Sequence, residues 1–346
     1  MKIIVTGNLG YIGSIMTCML AKHGVEVWGY DAGYYHDCLL NKIKDNGVSR
    51  QIYGDIRDIT MEQLRGAEVI IHLAALSNDP MGELNPQLTH DINTVASKRL
   101  AVMAKQAGIS RFLFSSSCSI YGQSKAKALT EESPFCPQTA YARSKVDTEA
   151  ALHILADDSF SPVYMRNATA YGYSPRLRFD LAVNNLSGWG FTTGQVKLTS
   201  DGKAWRPMVH VEDICRAFIQ VLQVPREIVH DQALNVGSES ENYQIRDVAN
   251  IVAKTIPNTT VTFAEDVGAD SRTYNVDFNK IRNLLPSFKP EWNVARGVRQ
   301  LCEVFQKIGL TRDQFAGRFF TRLKQLQYLE KEKKLDAQLR WIDKSF

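Results

Sequence analysis

The chain has 346 residues, enough for two domains or for one domain with an added lobe. Its 44% hydrophobic and 23% charged residues are the composition of a soluble globular protein, and no apolar run reaches membrane-spanning length. The net charge of +4 lies in residues 311–346, where nine Lys/Arg face five Asp/Glu; the rest is balanced and argues for no nucleic-acid partner.

Lys2 to Thr6 is a short apolar run that suits a strand buried on both faces of a parallel sheet. The chain enters it at once, so no signal peptide is expected. Gly7, Gly10 and Gly13 follow at three-residue spacing, and Ile12, Ile15, Met16, Met19 and Leu20 then take a helical period. Strand, glycine turn and helix aim the helix N-terminus and its free N–H groups at whatever lies over the turn. A dinucleotide pyrophosphate fits there; the alternative is a tight strand–helix turn. Val25 to Tyr30 is a second strand ending at Asp31. A carboxylate there accepts both hydroxyls of an adenosine ribose and repels a 2′-phosphate, which favours NAD over NADP; otherwise Asp31 only caps a loop.

Arg50 to Tyr53 is a third strand, followed by Gly54 and Asp55, where an adenine would lie. Glu68 to Leu73 is a fourth, leading into Ala74 and Ala75, whose small side chains leave a cofactor room; His72 is read as a core histidine. Leu88 to Ala107 is amphipathic, with Leu88, Ile92, Val95, Ala96, Leu100, Met103 and Ala107 on one stripe and Asn93 off it. Arg111 to Phe114 is a fifth strand ending in Ser115, Ser116 and Ser117. The alternation specifies an α/β fold with a doubly wound parallel sheet, whose ligands sit beyond the C-terminal strand ends.

Tyr141 and Lys145 stand four apart in a run that is helical to about Ala156, so they share one face. As a general base near neutrality a tyrosine needs its pKa of about 10 lowered by about 3 units, or ~4 kcal/mol. A neighbouring ammonium and a positively charged nicotinamide ring can together supply that. Lys145 could also hold the nicotinamide ribose, and Ser117 could hydrogen-bond the reacting hydroxyl or carbonyl. Alone, Y-x-x-x-K arises often by chance; behind the glycine turn, Asp31 and the serine strand end, chance explains it poorly.

Val163 to Arg166 is a sixth strand, followed by Asn167. Beyond Gly172 the composition turns to Asn, Gly and loop residues, and Asn184 and Asn185 carry amides that suit phosphate or sugar. Val196 to Thr199 and Lys203 to Arg206 flank Ser200-Asp201-Gly202, a hairpin signal. Arg206 suits bidentate contact with a substrate phosphate, the alternative being a surface salt bridge. A helix over Ile214 to Leu222, a buried strand over Ala233 to Val236, a helix over Ile245 to Thr255 and a strand over Thr260 to Phe263 follow. Asn279 to Leu285 and Val294 to Ile308 read as closing helices. Thr311 and Gln314 form a capping box; Phe315, Phe319, Leu323, Leu326 and Leu329 then trace a helical stripe, and Leu335 to Ile342 suit another turn or two. Such a basic amphipathic helix packs on its own body or at a dimer interface, or else binds a membrane surface or a partner.

TGNLGYIG at 6–13, Asp31, Gly54-Asp55, HLAA at 72–75, Asn93, SSS at 115–117, YARSK at 141–145, Tyr171-Gly172 and DGKAWRPMVHVED at 201–213 belong together. In combination they resemble the extended short-chain dehydrogenase/reductase family, in its NAD-dependent nucleotide-sugar epimerase/dehydratase branch. The likeness runs over roughly residues 1–300. It implies a Rossmann-type sheet with a smaller C-terminal substrate-binding lobe. Residues 1–171 with 209–238 would bind NAD and 172–208 with 239–310 the substrate, leaving 311–346 as a helical extension outside the family core. Gly7, Gly10 and Gly13 would meet the pyrophosphate, with Leu9, Tyr11 and Ile12 also at the cofactor, Asp31 the adenosine ribose, and Asp55 and Ile56 the adenine. Leu73, Ala74, Ala75, Asn93, Tyr141 and Lys145 would complete the cofactor site. Ser117, Tyr141 and Lys145 would form the catalytic group. Ser117, Asn167, Asn185, Arg206 and Arg272 would meet a nucleotide-sugar substrate, the two arginines at its diphosphate. A homodimer through the Leu88 and Tyr141 helices is also implied.

One departure is informative. Sugar 4,6-dehydratases of this branch carry an Asp-Glu pair just after the third serine-like position, where this chain has Cys118 and Ser119. Neither eliminates water at neutral pH, so 4,6-dehydration is not expected, and Cys118 reads as a buried small residue. The reading is NAD-dependent oxidation and return of hydride at a sugar hydroxyl, at C4, by an epimerase. Alternatives are a nucleotide-sugar dehydrogenase or 4-keto-sugar reductase with exchangeable cofactor, and a non-catalytic NAD-binding scaffold. The intact Ser117, Tyr141 and Lys145 weigh against the scaffold. Six scattered cysteines without a C-x-x-C pair exclude a disulfide framework and a zinc site; no metal and a cytoplasmic location are expected.

Overall fold

The computed structural model describes residues 1–40, 46–77, 79–124, 128–263 and 272–343; residues 344–346 of the expected extension lie outside them. The strands are β1 (Lys2–Thr6), β2 (Glu26–Asp31), β3 (Arg50–Tyr53), β4 (Val69–His72), β5 (Arg111–Ser117) and β6 (Ser161–Asn167). After them come β7 (Thr169–Tyr171), β8 (Gln195–Leu198), β9 (Trp205–His210), β10 (Gln232–Val236), β11 (Asn242–Gln244) and β12 (Thr260–Phe263). Seven strands make one parallel sheet in the order β10-β6-β5-β4-β1-β2-β3. Ile3 and Val5 pack on one face of it and Ile4 on the other, all buried, as a sheet covered by helices on both sides requires. Asp31 pairs with Tyr53, Thr6 with His72 and Ser117 with Asn167. The strand ends therefore present the glycine turn, Asp31 and the serines along one edge.

The second half of the chain corrects the hairpin. Strand β8 pairs parallel with β12, while β9 pairs with β7 and β11 in another sheet. Val196 and Leu198 are drawn into a separate apolar cluster with Val248 and Val252, and Gly202 turns the chain away at φ +67° against Arg246. The Asn- and Gly-rich stretch is also more regular than its composition suggests, for a helix runs over Ala182–Thr193. Gly188 is needed there because a Cβ would lie 2.3 Å from the Phe315 ring.

The Leu88 stripe is interrupted. Pro86–His90 and Ala96–Gln106 are α-helical, but Asp91–Val95 is a π-turn. The wider turn swings Val95 off the buried face, where it is 50% exposed, while Ile92 and Ala96 remain inside.

The extension packs on its own body. The capping box at Thr311 forms, yet the helix it starts stops at Ala316, and a second runs over Arg322–Lys331. Gly317 at the break moves burial from the expected Phe319 to Phe320. Leu335 and Trp341 close an antiparallel bridge, so the last segment is a loop rather than helical turns. Among the described residues no helix is long and apolar enough to cross a membrane.

Candidate active site

Two adjoining pockets open over the C-terminal strand ends. The first is built on the glycine turn. Gly7 has φ +73°, and a Cβ there would come within 2.7 Å of the Ala74 backbone nitrogen. A Cβ on Gly13 would come within 2.2 Å of the Gly7 carbonyl. Only glycine permits this closeness, and it brings the start of the helix Gly13–Lys22 to the pocket floor. Gly10, Tyr11 and Ile12 line it too, and Tyr11 Oη ties the turn to the second half of the chain by donating to the Gly172 carbonyl at 2.7 Å. Leu73, Ala74, Ala75 and Ile56 form the walls.

Asp31 sits in this pocket with both carboxylate oxygens engaged by backbone: Oδ2 accepts from Leu9 N at 3.0 Å and Oδ1 from Gly33 N at 2.8 Å. Leu9 thus acts through its N–H and supports Asp31 without lining the pocket. Burial raises the Asp31 carboxyl above its ordinary range, against those two hydrogen bonds and the charges of Arg176 and Arg322. Asp55 behaves oppositely. Burial works to raise it, but Arg57, by its guanidinium and its backbone N–H, outweighs that and holds it below the usual range. Arg57 Nε and Nη2 grip the two oxygens at 2.9 and 2.5 Å, and Arg340 lies 3.6 Å away. Asn93, grouped with the cofactor residues by sequence, does not line the pocket. Its Oδ1 accepts from Leu76 N at 2.8 Å, and its Nδ2 donates to Leu76 O and Ser144 Oγ, both at 3.1 Å. From the π-turn it fixes the exit of β4 to the Tyr141 helix, a positioning role.

The second pocket is a cleft of about 620 Å³, within the size of small-molecule sites. Ser117, Tyr141, Lys145, Asn167, Asn185, Arg206 and Arg272 all line it. The helix Ala140–Leu155 carries Tyr141 and Lys145, and Thr139 caps it by accepting from Ala142 N at 3.1 Å. Asn167 donates to Ser115 Oγ at 3.0 Å, and its buried Oδ1 has no partner among the described residues. Asn185 donates to the Phe179 carbonyl at 2.8 Å. Asn184 is fully buried and occupied with the backbone of Gly172 and Arg178, so the sugar-holding expectation fails for it. Arg206 stacks over the Tyr274 ring at 5.3 Å and is 9% exposed, so it is not a surface side chain. Arg272 is more open and pairs with Asp79 at 2.7 Å.

The expected depression of Tyr141 is not found in the protein alone. Burial pushes its phenol up to about 12, with a Ser117 hydrogen bond and the charge of Arg178 pulling the other way. Lys145 is itself brought down to about 7 by burial, opposed by Glu149, and its Nζ donates to the Ser115 carbonyl at 2.7 Å. A lysine titrating near neutrality is no fixed positive charge for the phenol. Behind both residues lies a buried polar network. Arg166 Nη2 meets Glu149 Oε2 at 2.6 Å, Ser116 Oγ donates to Glu149 Oε1 at 2.5 Å, and Arg166 also reaches Tyr121 Oη and the Glu131 carbonyl. It clamps the Tyr141 helix to the ends of β5 and β6. Cys118 is 1% exposed, donates toward the Arg166 carbonyl at 3.1 Å, and has its thiol pushed far up by burial. His72 is a core residue, as read: it lies between Thr6 and Ser97, and burial lowers it to about 3.

Sequence reasoning missed two arginines. Arg178 borders both pockets, holds Asp180 in a two-point pair at 3.0 and 2.8 Å, and reaches Ser77 at 3.1 Å. Its signal was present: Arg176 and Arg178 alternate with Leu177, Phe179 and Leu181, which are apolar and partly or wholly buried. Arg322 borders the first pocket from the extension, and no local pattern marks it.

The family model described as the NAD dependent epimerase/dehydratase family matches residues 3–237. The chain belongs to that family. A UDP-glucose 4-epimerase of Corynebacterium glutamicum is 28% identical over 267 residues, covering 72% of this chain and 79% of the relative. The structure of MoeE5 in complex with UDP-glucuronic acid and NAD superposes with a TM-score of 0.77 at 24% identity, over 89% of this chain and 99% of that one. DesIV, a dTDP-glucose 4,6-dehydratase from Streptomyces venezuelae solved with NAD, gives 0.76 at 22% identity, over 91% and 100%. These two likenesses carry the fold, a Rossmann-type parallel sheet. Family membership makes this chain an NAD-dependent enzyme of the nucleotide-sugar epimerase/dehydratase class.

Proposed function

We propose that the chain epimerises a nucleotide-linked sugar at C4 with NAD as its resident cofactor. One observation carries the choice among the family's reactions. Ser117, Tyr141 and Lys145 line the cleft beside a buried thiol, Cys118, and a serine, Ser119, instead of an acid–base pair. A thiol pushed far above neutrality and a hydroxyl supply neither the acid nor the base that removal of water requires. The C. glutamicum relative named UDP-glucose 4-epimerase supports the same choice.

The first pocket fits NAD. The Gly7–Gly10–Gly13 cradle and the start of its helix suit the diphosphate, Asp31 the adenosine ribose, Asp55 and Ile56 the adenine, and Lys145 and Tyr141 the nicotinamide ribose. Bound there, NAD supplies the hydride acceptor and a positive charge beside Tyr141. Tyr141 Oη takes the proton from the sugar hydroxyl while Ser117 Oγ hydrogen-bonds the same oxygen. Once the keto sugar has presented its other face, Tyr141 returns the proton. The phenol, near 12 in the protein alone, is a competent base only beside that added charge. Arg206 and Arg272 hold the substrate diphosphate, and Asn167 and Asn185 the sugar end.

Residues 1–171 with 209–238 serve the cofactor in this reading, and 172–208 with 239–310 the substrate. A homodimer through the Leu88 and Tyr141 helices belongs to the same proposal; Val95 and Ile154 on them are 50% and 82% exposed. Light scattering that gives a monomer at assay concentration removes the dimer. The test of function is to denature the purified protein, identify the released cofactor by mass spectrometry, and supply UDP-glucose or UDP-glucuronate without added NAD. Conversion to the C4 epimer is expected. Turnover only with stoichiometric consumption of added nicotinamide cofactor replaces the epimerase with a dehydrogenase or reductase, and a dehydrated keto sugar overturns the argument from Cys118.

A further inference from the structure

Beyond Gly309 the chain crosses to the rim of the first pocket and stays there. Phe315 and Phe320 pack on Phe179 with ring centroids 4.7 and 5.6 Å apart. Leu326, Leu329, Leu335 and Leu339 join the apolar cluster that contains Tyr30 and Ile56. Polar contacts then fasten the extension to the two segments flanking Asp31 and Asp55. Trp341 Nε1 donates to the Ala32 carbonyl at 2.7 Å, Tyr34 Oη to the Leu339 carbonyl at 2.5 Å, and Gln325 Nε2 to the Tyr34 carbonyl at 3.1 Å. On the other side Arg57 Nη2 donates to the Gln338 carbonyl at 2.8 Å, and Arg340 pairs with Asp58.

Arg322 is the residue of this extension that lines the pocket. It is 3% exposed, its guanidinium lies 4.1 Å over the Tyr35 ring, and Nη2 donates to the Arg176 carbonyl at 3.0 Å. Nη1 is buried and has no hydrogen-bond partner among the described residues. A buried guanidinium donor without an acceptor is costly, and it is retained where a ligand completes it. The surroundings are cationic as well. Arg176, Arg178 and Arg322 are all buried; Arg178 is already paired with Asp180, and the charges of the other two both act on Asp31. The anionic group of NAD is its diphosphate, and Asp31 opposes a 2′-phosphate.

We propose that the C-terminal extension is a clasp on the cofactor: Arg322 Nη1 binds the dinucleotide diphosphate, and the segment from Arg322 to Trp341 holds the surrounding loops closed so that NAD stays bound through turnover. The proposal rests on the reading that this pocket holds NAD. It also gives the extension a role that the family match, ending at residue 237, does not cover.

The test is exchange of bound NAD in the holoenzyme, chased with excess isotopically labelled NAD. Arg322→Met keeps the aliphatic stem against Tyr35 and removes the donor. Loss of one hydrogen bond to a charged group should speed exchange by about 10- to 100-fold. Arg322→Lys, which restores a point charge without the fork, should fall between the two. Trp341→Phe keeps a ring and drops the bond to Ala32, and should speed exchange by about 2- to 10-fold; with Arg322→Lys it carries the test if Arg322→Met fails to fold by circular dichroism. Exchange unchanged in the variants, with wild type holding NAD, overturns the clasp alone. A wild type that takes up no NAD overturns the pocket reading and the clasp together. A variant that exchanges NAD normally but loses competition by NADP places Arg322 at a 2′-phosphate and overturns the assignment.

Discussion

Lys145 and Arg322 are both buried basic side chains bordering the pockets above the sheet, and they are held in different ways. Lys145 stands one turn from Tyr141 on a helix that the Arg166–Glu149 network locks to β5 and β6, and its amine is anchored on a sheet carbonyl. Arg322 is carried by a short helix whose position depends on a handful of leucines and aromatic rings docking on finished surfaces. The first arrangement opens only if the core opens. The second can detach locally, because it contributes no strand to the sheet. The geometry around Tyr141 and Lys145 is therefore tied to the sheet and its polar clamp, and the rim of the first pocket to an extension docked on the outside of the sheet.

The largest effect expected from this contrast is on turnover. Tyr141→Phe should lower kcat by about 10²- to 10⁴-fold while the protein still carries NAD. Steady-state assay together with mass spectrometry of bound cofactor checks both halves, and full activity would break the catalytic assignment. Next comes Glu149→Leu, which leaves Arg166 charged and buried without its partner; a loss of about 3–5 kcal/mol is expected in urea unfolding. Leu329→Ala should cost about 2–3 kcal/mol of local stability with a smaller change in the global midpoint, read as faster amide hydrogen exchange confined to the extension and Ala32–Tyr35. Exchange that rises equally in β5 would make the extension part of the core and end the contrast.

A further effect is one of pH. In the cofactor-free protein Lys145 releases its proton near 7, whereas the unfolded chain keeps it to about 10.5. Across that window the unfolded state holds more protons, so this residue makes stability rise with pH from about 7 to 10.5. Lys145→Met should flatten that part of the profile, measured as urea midpoints in the two proteins, and should leave the profile below pH 6 parallel to wild type. An unchanged slope would place the Lys145 titration outside the window.

Much of the cleft was legible because its parts obey local rules. The glycine turn is a strand end followed by a helical period, and Y-x-x-x-K is one turn of one helix, so period alone places Tyr141 beside Lys145. Once parallel strands are inferred, Gly7, Asp31 and Ser117 must share an edge, since that is where such strands end. The misreadings have physical causes of the opposite kind. Ser200-Asp201-Gly202 has hairpin chemistry, but Val196 and Leu198 pack in an apolar cluster with Val248 and Val252, and their strand pairs with β12 instead of β9. Val95 fits the stripe until a π-turn widens it. Asn93 and Asn184 carry amides suited to ligands, yet nearby backbone groups claim them first.

The sequence by itself determined the parallel sheet, the pairing of Tyr141 with Lys145, and the absence of an acid–base pair at Cys118 and Ser119. Each is a matter of period, spacing or side-chain chemistry within a few residues. The tertiary structure alone decided that burial leaves Tyr141 near 12 and Lys145 near 7, that Arg178 borders both pockets, and that Arg322 borders the first. Those outcomes depend on how much water is excluded and on which distant segments meet, and desolvation and docking are properties of the assembled fold that no short window of sequence contains.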